Sequence, residues 1–237
     1  MVVSNDGNTS LKGPEILLVT KTDARGTDPN AANGLRVDAG ASIAAEGDYP
    51  AAKDQPIAIT GDGALLRVSN GAMAPLTRTG GTGAGLLTVG VGATLAGGQA
   101  LTLDSSGNLK VDPSAVLSAK AITADGSAIT FTNAGGAAAA NLPGFVIDPE
   151  GLAQFANAQQ VTLRSYGAIG FVGDVNATFG NSVDLSAGTF TSDGGHVTLT
   201  APQIAFTNEA GAPNATSTTG NGTLTVNAKE IDFGAGT

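Results

Sequence analysis

The sequence predicts an all-β protein, a parallel β-helix in which short strands stack in coils of about 20–22 residues. The 237-residue chain contains 35 glycines and no tryptophan, and only 13% of its residues are charged. This composition suits closely spaced turns better than long solvated helices. A strand–corner–strand phrase recurs along the chain, and its apolar residues alternate as they do in half-buried strands. Repetition of short strands at such a period is typical of a solenoid.

Each phrase holds two short strands that are joined at a small residue or proline. In the first half of the chain the phrases are GLRVDAGASI (34–43), LLRVSNGAMA (65–74), LLTVGVGATL (86–95) and NLKVDPSAVL (108–117). In the second half they are VTLRSYGAIGF (161–171), VDLSAGTFTS (183–192), VTLTAPQIAF (197–206) and LTVNAKEIDF (224–233). We expect successive coils to stack through backbone hydrogen bonds at a spacing of about 4.8 Å.

The spacing of equivalent residues supports this period. Val89 and Val111, for example, are separated by one full period. The longer spacing from Val37 to Val68 predicts a loop insertion around AAEGDYPAAKD (44–54). Apolar residues do not recur at the i, i+3, i+4 spacing of a helical repeat, so strands remain the prediction.

The alternation assigns side chains to the interior or to the outside of the coils. Phe171, Phe206 and Phe233 are predicted to form an aromatic stack. An aliphatic stack beside it is predicted from Leu163, Leu185, Leu199 and Val226, together with Ile169, Ile204 and Ile231. Residues between these positions, such as Thr198 and Asn227, are predicted to face outward. Corners that need positive φ or a missing Cβ are predicted at Gly40, Gly71, Gly92, Gly107 and Gly194.

The stretch NAGGAAAANLPG (133–144) breaks the period and separates the two versions of the phrase. We therefore expect two blocks of one solenoid, residues 1–132 and residues 145–237, joined through an irregular loop or bulge at 133–144. Residues 149–160 are expected to form either one helical turn or a loose coil.

The charge balance and the cysteine count argue against several classes of function. A formal net charge of −9 argues against nucleic acid, because phosphates call for a basic surface. It also argues against binding to an anionic membrane surface. The absence of cysteine excludes a disulfide framework and any thiolate site. No apolar run approaches the roughly 20 residues of a membrane span.

The stretches LRSYGAIGFVGDV (163–175), GHVTLTAPQIAFTNEAG (195–211) and GTLTVNAKEIDFGAG (222–236) resemble the repeat region of filamentous haemagglutinin-like exoproteins. These are large bacterial adhesins that are exported by two-partner secretion. The resemblance covers residues 145–237 well, whereas the first half of the chain shares only the spacing of the repeats. It implies a right-handed parallel β-helix and an outer-membrane two-partner secretion transporter as partner. It also implies a secreted or cell-surface location in a Gram-negative bacterium.

The function that the resemblance implies is that of a segment of a large adhesin-like solenoid, which presents a surface to host or bacterial glycans or proteins. The family's amino-terminal secretion domain carries an Asn-Pro-Asn-type signature, and only TDPNAANG (27–34) comes near it. The start, MVVSNDGNTS, has neither the basic nor the apolar region of a signal peptide. We therefore expect an internal or carboxy-terminal segment. A purely structural surface rod is one alternative.

Side chains suited to catalytic or metal chemistry are few. His196 is the only histidine, and one imidazole without cysteine does not make a His/Cys metal site; we expect a solvated corner residue. Parallel β-helices also host polysaccharide-cleaving enzymes, and sugar-bond hydrolysis uses paired carboxylates. The candidates are Asp104, Asp112, Asp125, Asp148 and Glu150, and a second set is Asp174, Asp184 and Asp193. Arg164 and Tyr166 are the nearby groups suited to holding a sugar ring.

We expect corner and cap roles for these carboxylates, and hence no enzyme, no cofactor and no metal site. The alternative is a lyase or hydrolase on the same fold. A pair of carboxylates clustered beside Arg164 and Tyr166 in a groove would favour that alternative, whereas an evenly polar flank would favour an adhesin or a rod.

Two further patterns receive structural interpretations. The Gly-rich TGGTGAGLL (79–87) lacks the Lys-Ser/Thr of a phosphate loop, and the single Asp62 does not supply a calcium-binding nonapeptide repeat. Corner glycines are expected there. Outward threonine pairs at 130 and 132, 189 and 191, and 198 and 200 resemble the ladders with which ice-binding solenoids order water. Their placement along the sequence is irregular, so we attribute them to β-propensity.

Overall fold

The computed structural model describes residues 1–4, 10–21, 34–49, 55–135, 137–213 and 221–234. The chain divides into two compact units, Met1–Thr123 and Ala124–Thr237. Regular structure is almost entirely β-strand, which confirms the all-β prediction. Residues 27–33 of TDPNAANG and residues 50–54 of the predicted insertion lie outside the described residues.

The first unit, Met1–Thr123, is built mainly from parallel strands. Its strands are β1 (Val2–Val3), β2 (Ser10–Gly13), β3 (Glu15–Lys21), β4 (Leu35–Val37), β5 (Ser42–Ala45), β6 (Ile57–Thr60), β7 (Gly63–Ser69), β8 (Leu76–Thr79), β9 (Leu86–Val89), β10 (Thr94–Ser105), β11 (Asn108–Val111) and β12 (Val116–Gly126), of which the last continues into the second unit. Strands β1, β4, β9 and β11 pair in parallel in that order. Leu87 lies opposite Leu109, so β9 and β11 are one predicted period apart.

An antiparallel layer interrupts the parallel strands and contradicts part of the predicted repeat. Strand β7 pairs antiparallel with β3 and with the second part of β10, which places Val68 opposite Ile16 and Leu101. All of β7 is buried. The phrase at 65–74 is therefore not one coil before the phrase at 86–95. The sequence missed this because apolar alternation is the same in parallel and antiparallel strands.

Several predicted corner glycines are confirmed by their backbone geometry. Gly40 and Gly92 have φ of 70° and 61°, a region that side-chain-bearing residues rarely adopt. A Cβ on Gly107 would lie 2.2 Å from the carbonyl oxygen of Gly85, and a Cβ on Gly71 would lie 2.7 Å from the ring of Tyr49. A larger residue at position 107 would collide with the backbone of Gly85, and one at position 71 would displace the ring of Tyr49.

The second unit, Ala124–Thr237, is built from strands that pair in parallel. Its further elements are β13 (Ile129–Thr132), α1 (Ala137–Ala140), β14 (Phe145–Ile147), α2 (Pro149–Ala153), β15 (Gln160–Ser165), β16 (Ala168–Val172), β17 (Val175–Thr178), β18 (Ser182–Ser186), β19 (Thr189–Ser192), β20 (His196–Thr200), β21 (Gln203–Thr207), β22 (Thr223–Asn227) and β23 (Glu230–Phe233). One sheet has the order β14-β13-β16-β19 and another β17-β20-β22. Strands β15, β18, β21 and β23 also pair in that order. The short helix α1 lies within 133–144, where the sequence predicted an irregular loop.

Most of the aliphatic side chains are buried as predicted, but Ile231 is 43% exposed, and the predicted membership of their stack is wrong. Leu163, Leu185 and Leu199 are fully buried. Leu163 and Leu185 lie in register with each other and with Phe206, whereas Leu199 lies in another sheet beside Val226. The phrases at 161–171 and 183–192 join the β15–β18 strands to the β16–β19 strands. The phrases at 197–206 and 224–233 instead join the β20–β22 strands to the β21–β23 strands. The same sequence phrase therefore forms the corner between two different pairs of sheets.

The aromatic stack is likewise confirmed in part. Phe206 and Phe233 stack with ring centroids 5.6 Å apart, but Phe233 is 74% exposed, whereas the prediction placed it in the interior. Phe171 belongs to a different column and stacks on Phe131 at 5.4 Å. Phe190 contacts Phe206 edge-on, with centroids 5.5 Å apart. The interior of this unit is thus filled by aliphatic and aromatic columns that follow the parallel register.

Candidate functional site: the Arg164 cluster

Two of the candidate carboxylates have the predicted local roles at corners and caps. Asp112 accepts hydrogen bonds from the hydroxyl and the backbone N–H of Ser114 (2.5 and 2.9 Å), and these bonds lower its pKa. Asp148 accepts the N–H of Gly151 at 2.8 Å and caps α2, so the helical turn is the correct alternative for this segment. Glu150 is exposed in the first turn of that helix.

Of the second predicted set, Asp174 and Asp193 lie at adjoining corners, since each carboxylate accepts a backbone N–H from the other's corner, and Asp184 lies elsewhere. Asp174 accepts the backbone N–H of His196 at 2.7 Å, and Asp193 accepts that of Gly173 at 3.0 and 2.9 Å. Both are exposed corner residues. Asp184 lies within strand β18 instead, with a different hydrogen-bond partner.

His196 is exposed at the start of β20, as predicted. Its Nδ1 is 2.8 Å from the hydroxyl oxygen of Thr223. In the part of the chain that the structure describes, no three His, Asp or Glu side chains lie close enough together to hold a metal ion.

For Asp104 the corner prediction is wrong. Its side chain is fully buried at the end of β10, where it forms an ion pair with Arg78, itself 3% exposed. Arg78 also donates to the carbonyl oxygen of Gly61 at 2.8 Å. Arginine and aspartate are almost never buried in isolation, so each requires the other there.

Asp125 also departs from the corner prediction, and it anchors a group of charges in the second unit. Its side chain is fully buried, and its Oδ2 lies 2.5 Å from Nη2 of Arg164, which is 7% exposed. Nη1 of Arg164 is 3.9 Å from Oε2 of the half-exposed Glu209. Asp184 accepts the hydroxyl of Thr207 at 2.7 Å. We call these five residues the Arg164 cluster.

The register of three strands positions the cluster. Arg164 lies opposite Ser186, and Ser186 lies opposite Thr207. Asp184 is two residues before Ser186 and therefore points to the same side of the sheet. Glu209 follows the last of these strands, and its backbone N–H donates to the hydroxyl of Ser186 at 2.8 Å.

Asp184 has a raised pKa. Its pKa is raised to about 6: burial raises it most, the hydrogen bond from Thr207 lowers it, the charge of Glu209 raises it and the charge of Arg164 lowers it. Acid–base catalysis uses carboxyl groups whose pKa is raised towards neutral pH in this way. This environment was not predicted, because it depends on residues that are distant from Asp184 in the sequence.

The accessibility of the cluster limits what it can do. Asp125 and the guanidinium of Arg164 are buried in their own ion pair, so the arginine has little surface with which to hold a sugar. Tyr166 is half-buried, and its backbone N–H donates to the carbonyl oxygen of Gly126 at 2.9 Å. The arrangement is a buried ion pair with Asp184 and Glu209 at its outer side. Structural ion pairs of this kind also perturb pKa values.

The Gly-rich loop at 79–87 is organised around Asp62. Oδ1 of this carboxylate accepts the N–H groups of Thr82, Gly83 and Ala84 at 2.9, 3.0 and 3.2 Å, and Oδ2 accepts the hydroxyl of Thr82 at 2.5 Å. Consecutive N–H groups of this kind form an anion-binding nest. Here the protein's own carboxylate fills it. Burial raises the pKa of Asp62, but the hydrogen bonds outweigh burial and lower it overall.

The threonine pairs have three different outcomes. Thr130 and Thr132 are buried. Thr189 and Thr191 have Ala168 and Gly170 as register partners, so no row of threonines runs across these strands. Thr198 and Thr200 lie between Asn176 and Thr178 of β17 and Thr225 and Asn227 of β22, in register. In this sheet only Thr198 and Thr200 form a threonine pair, but mixed threonine and asparagine residues continue its two rows on either side.

An open, mostly apolar groove of about 150 Å³ lies between β19 and β22 in the second unit; its lining includes Phe171, Phe190, Val197 and Leu224. It contains none of the candidate carboxylates. None of the helices formed by the described residues has the length and apolar character that a membrane crossing requires.

Comparison with known proteins adds no identity. No family model matches the chain, and neither a curated protein nor a solved structure is significantly similar to it. Any function proposed for the chain therefore rests on its own geometry and on the resemblance of its repeats.

Proposed function

We propose that the chain is a segment of a large secreted adhesin-like solenoid, a right-handed parallel β-helix that presents a surface for attachment. The observation that carries this proposal is the parallel register of the second unit. Val161 lies opposite Val183, and Val183 lies opposite Ile204, so register partners recur once per predicted period. Such a register is expected when each coil of the predicted repeat stacks on the one before.

The remaining parts of the proposal follow from the resemblance at residues 163–236. The chain is exported through an outer-membrane two-partner secretion transporter and resides outside a Gram-negative cell. Its ligands are glycans or proteins of host or bacterial surfaces, and it acts without catalysis. The repeat carries this function because stacking coils extends a surface without requiring a reactive group in any of them.

A deletion of one complete period tests the coil architecture. Removal of residues 183–203 places Ile204 directly after Ser182, where Val183 now stands, and Ile204 and Val183 are register partners. We expect this variant to keep its strand content and to unfold cooperatively. The matched control removes only residues 183–192, which shifts the register by half a period. If both deletions unfold the chain equally, the stacked-coil architecture is contradicted.

Export and binding test the adhesin function. The chain is fused behind the secretion domain of a two-partner system and produced with the matching transporter. We expect it to reach the cell surface and to bind saturably to host or bacterial cells. Export without binding would favour the structural rod, and failure of export would contradict the assignment to two-partner secretion.

A polysaccharide-active enzyme is the second candidate, and the Arg164 cluster is the observation that favours it. Of the three carboxylates in this cluster, Asp184, whose pKa is raised, and Glu209 are accessible to solvent. The test is a reducing-sugar assay on acidic and neutral polysaccharides with the unaltered chain and with Asp184→Asn. Depolymerisation that the substitution abolishes would establish the enzyme, whereas no turnover is expected for the adhesin.

A further inference from the structure

The outer face of the sheet β17-β20-β22 carries an ordered array of uncharged polar side chains. One column contains Asn176, Thr198 and Thr225, and the other contains Thr178, Thr200 and Asn227. Each strand contributes one residue to each column. We call these six residues the threonine–asparagine array.

The strands beneath the array hold it in fixed positions. The inward residues between its columns, Ala177 and Leu199, are 1% and 0% exposed. Neighbouring strands lie roughly 4.8 Å apart, and residues two apart along a strand are separated by roughly 6.6 Å. Threonine is β-branched and therefore stiff at χ1, so its hydroxyl loses little freedom when it binds. The face is a small lattice with two regular spacings.

The hydrogen-bonding capacity of the array is largely unused. The side chains of Asn176, Thr178, Thr198 and Thr225 form no hydrogen bond with any other part of the protein among the described residues, and Asn227 reaches Thr200 only at 3.5 Å. By contrast, the hydroxyl of Thr207 is bonded to Asp184 and that of Thr82 to Asp62. The array therefore offers its donors and acceptors to the surroundings.

We propose that the threonine–asparagine array binds the surface of crystalline water. The partner must present hydroxyl-type donors and acceptors at regular spacings on a flat plane, and it must not require charge. The array has no ionisable member, and His196 only borders it. It also has no aromatic ring on which a sugar could stack. This inference goes beyond attachment to cells and does not depend on the adhesin proposal.

Partition into ice tests the proposal with the full chain. A dilute solution is frozen slowly on a cold surface, and the protein in the ice is compared with the protein in the remaining liquid. We expect the unaltered chain to be enriched in the ice. Thr198→Lys, which puts a charge in the middle of the array, is expected to be excluded like an ordinary soluble protein. The control Thr191→Lys replaces an exposed threonine of β19, in a different sheet, and is expected to partition like the unaltered chain.

Thermal unfolding of both variants verifies that they are folded, since both positions are outside the core. Exclusion of the unaltered chain from ice would overturn the proposal, and so would equal partition of Thr198→Lys. Retention on insoluble cellulose or chitin that Thr198→Lys abolishes, without enrichment in ice, would show that the array binds a neutral polysaccharide instead.

Discussion

Asp62 in the first unit and Asp184 in the second both accept a hydrogen bond from a threonine hydroxyl. Their pKa values are nevertheless shifted in opposite directions. Each accepts the hydroxyl of a threonine that lies about one repeat further along the chain, at 2.5 Å for Asp62 and 2.7 Å for Asp184. Burial raises the pKa of both. The net pKa of Asp62 is nevertheless lowered, whereas that of Asp184 is raised to about 6.

The difference lies in the backbone. Asp62 accepts three consecutive N–H groups at 82–84, and such bonds favour the charged form. Asp184 lies in the middle of a strand, where the neighbouring N–H groups are used by the sheet, and it faces the like charge of Glu209. The corner at Asp62 thus stabilises its carboxylate, whereas the strand face at Asp184 destabilises its carboxylate even with the charge of Arg164 nearby.

Removal of the arginine is expected to have the largest effect. Arg164→Met leaves Asp125 buried without its countercharge and takes from Asp184 a positive charge that lowers its pKa. Breaking a buried pair from one side costs about 3–5 kcal/mol of the free energy of unfolding. Chemical denaturation measures the loss. Lys229→Met, at an exposed position of the same unit, is the control and is expected to change little.

The double variant Asp125→Asn, Arg164→Met sharpens this prediction. It removes both charges of the buried pair, so we expect it to recover part of the stability that Arg164→Met loses. A double variant that is less stable than Arg164→Met would show that the pair does not act as a unit.

Removal of the charge at Asp62 is expected to have a smaller effect. Asp62→Asn exchanges charge-assisted hydrogen bonds for neutral ones and should cost about 1–2 kcal/mol at neutral pH. Hydrogen exchange of a peptide that covers 79–87 should become faster. The exposed Asp48→Asn serves as the control in the same unit. Unchanged exchange at 79–87 would contradict the role of Asp62 in ordering the Gly-rich loop.

Removal of the charge at Asp184 is expected to stabilise the protein. Asp184→Asn avoids the cost of ionising a half-buried carboxyl group and should raise the free energy of unfolding by about 1 kcal/mol at pH 7, given solvent screening. Asn can still accept the hydroxyl of Thr207. Asp232→Asn, an exposed neighbour in the same set of strands, is expected to have no comparable effect. A loss of stability in Asp184→Asn would contradict the raised pKa.

The two carboxylates also predict opposite pH slopes. The folded pKa of Asp184, about 6, lies above its unfolded value of 3.8, so its contribution to stability is lost as pH rises from about 4 to 6. The folded pKa of Asp62 lies below its unfolded value, so its contribution is present above pH 4 and is lost as pH falls further. Asp184→Asn should flatten the first slope and Asp62→Asn the second, as measured by denaturation across pH 3–7. Slopes that neither variant changes would contradict both assignments.

The sequence predicts the parallel pairing of β15, β18 and β21 well, because their inward residues have register partners one period away. Other register partners are further apart in the chain, such as Ile129 with Ile169 and Ile204 with Ile231. The sequence prediction fails where the same alternation serves another purpose. Strand β7 has the pattern of a repeat strand but pairs antiparallel, and Leu199 occupies a different sheet from Leu185. A pattern of period two reports which side of a strand is buried, and it does not report which neighbour covers it.

The buried ion pairs were missed for a related reason. Asp104 and Asp125 directly precede corners, where aspartate is common, so the sequence pattern favoured a corner role. The useful signal is in their partners. Arg78 and Arg164 occur within otherwise uncharged strands, and arginine is seldom fully buried without a paired acid. An arginine inside a strand of this kind therefore predicts an acidic partner elsewhere in the chain, as Glu15 is for Arg67.

The scarcity of tryptophan and tyrosine gives this chain an unusual optical property. It has no tryptophan and two tyrosines, and one tyrosine falls in each unit: Tyr49, whose ring lies against Gly71, and Tyr166, two residues after Arg164. Tyrosine emission from Tyr49→Phe therefore arises in the second unit alone, and that from Tyr166→Phe in the first alone. The unfolding of each half can be followed by intrinsic fluorescence, without any attached dye.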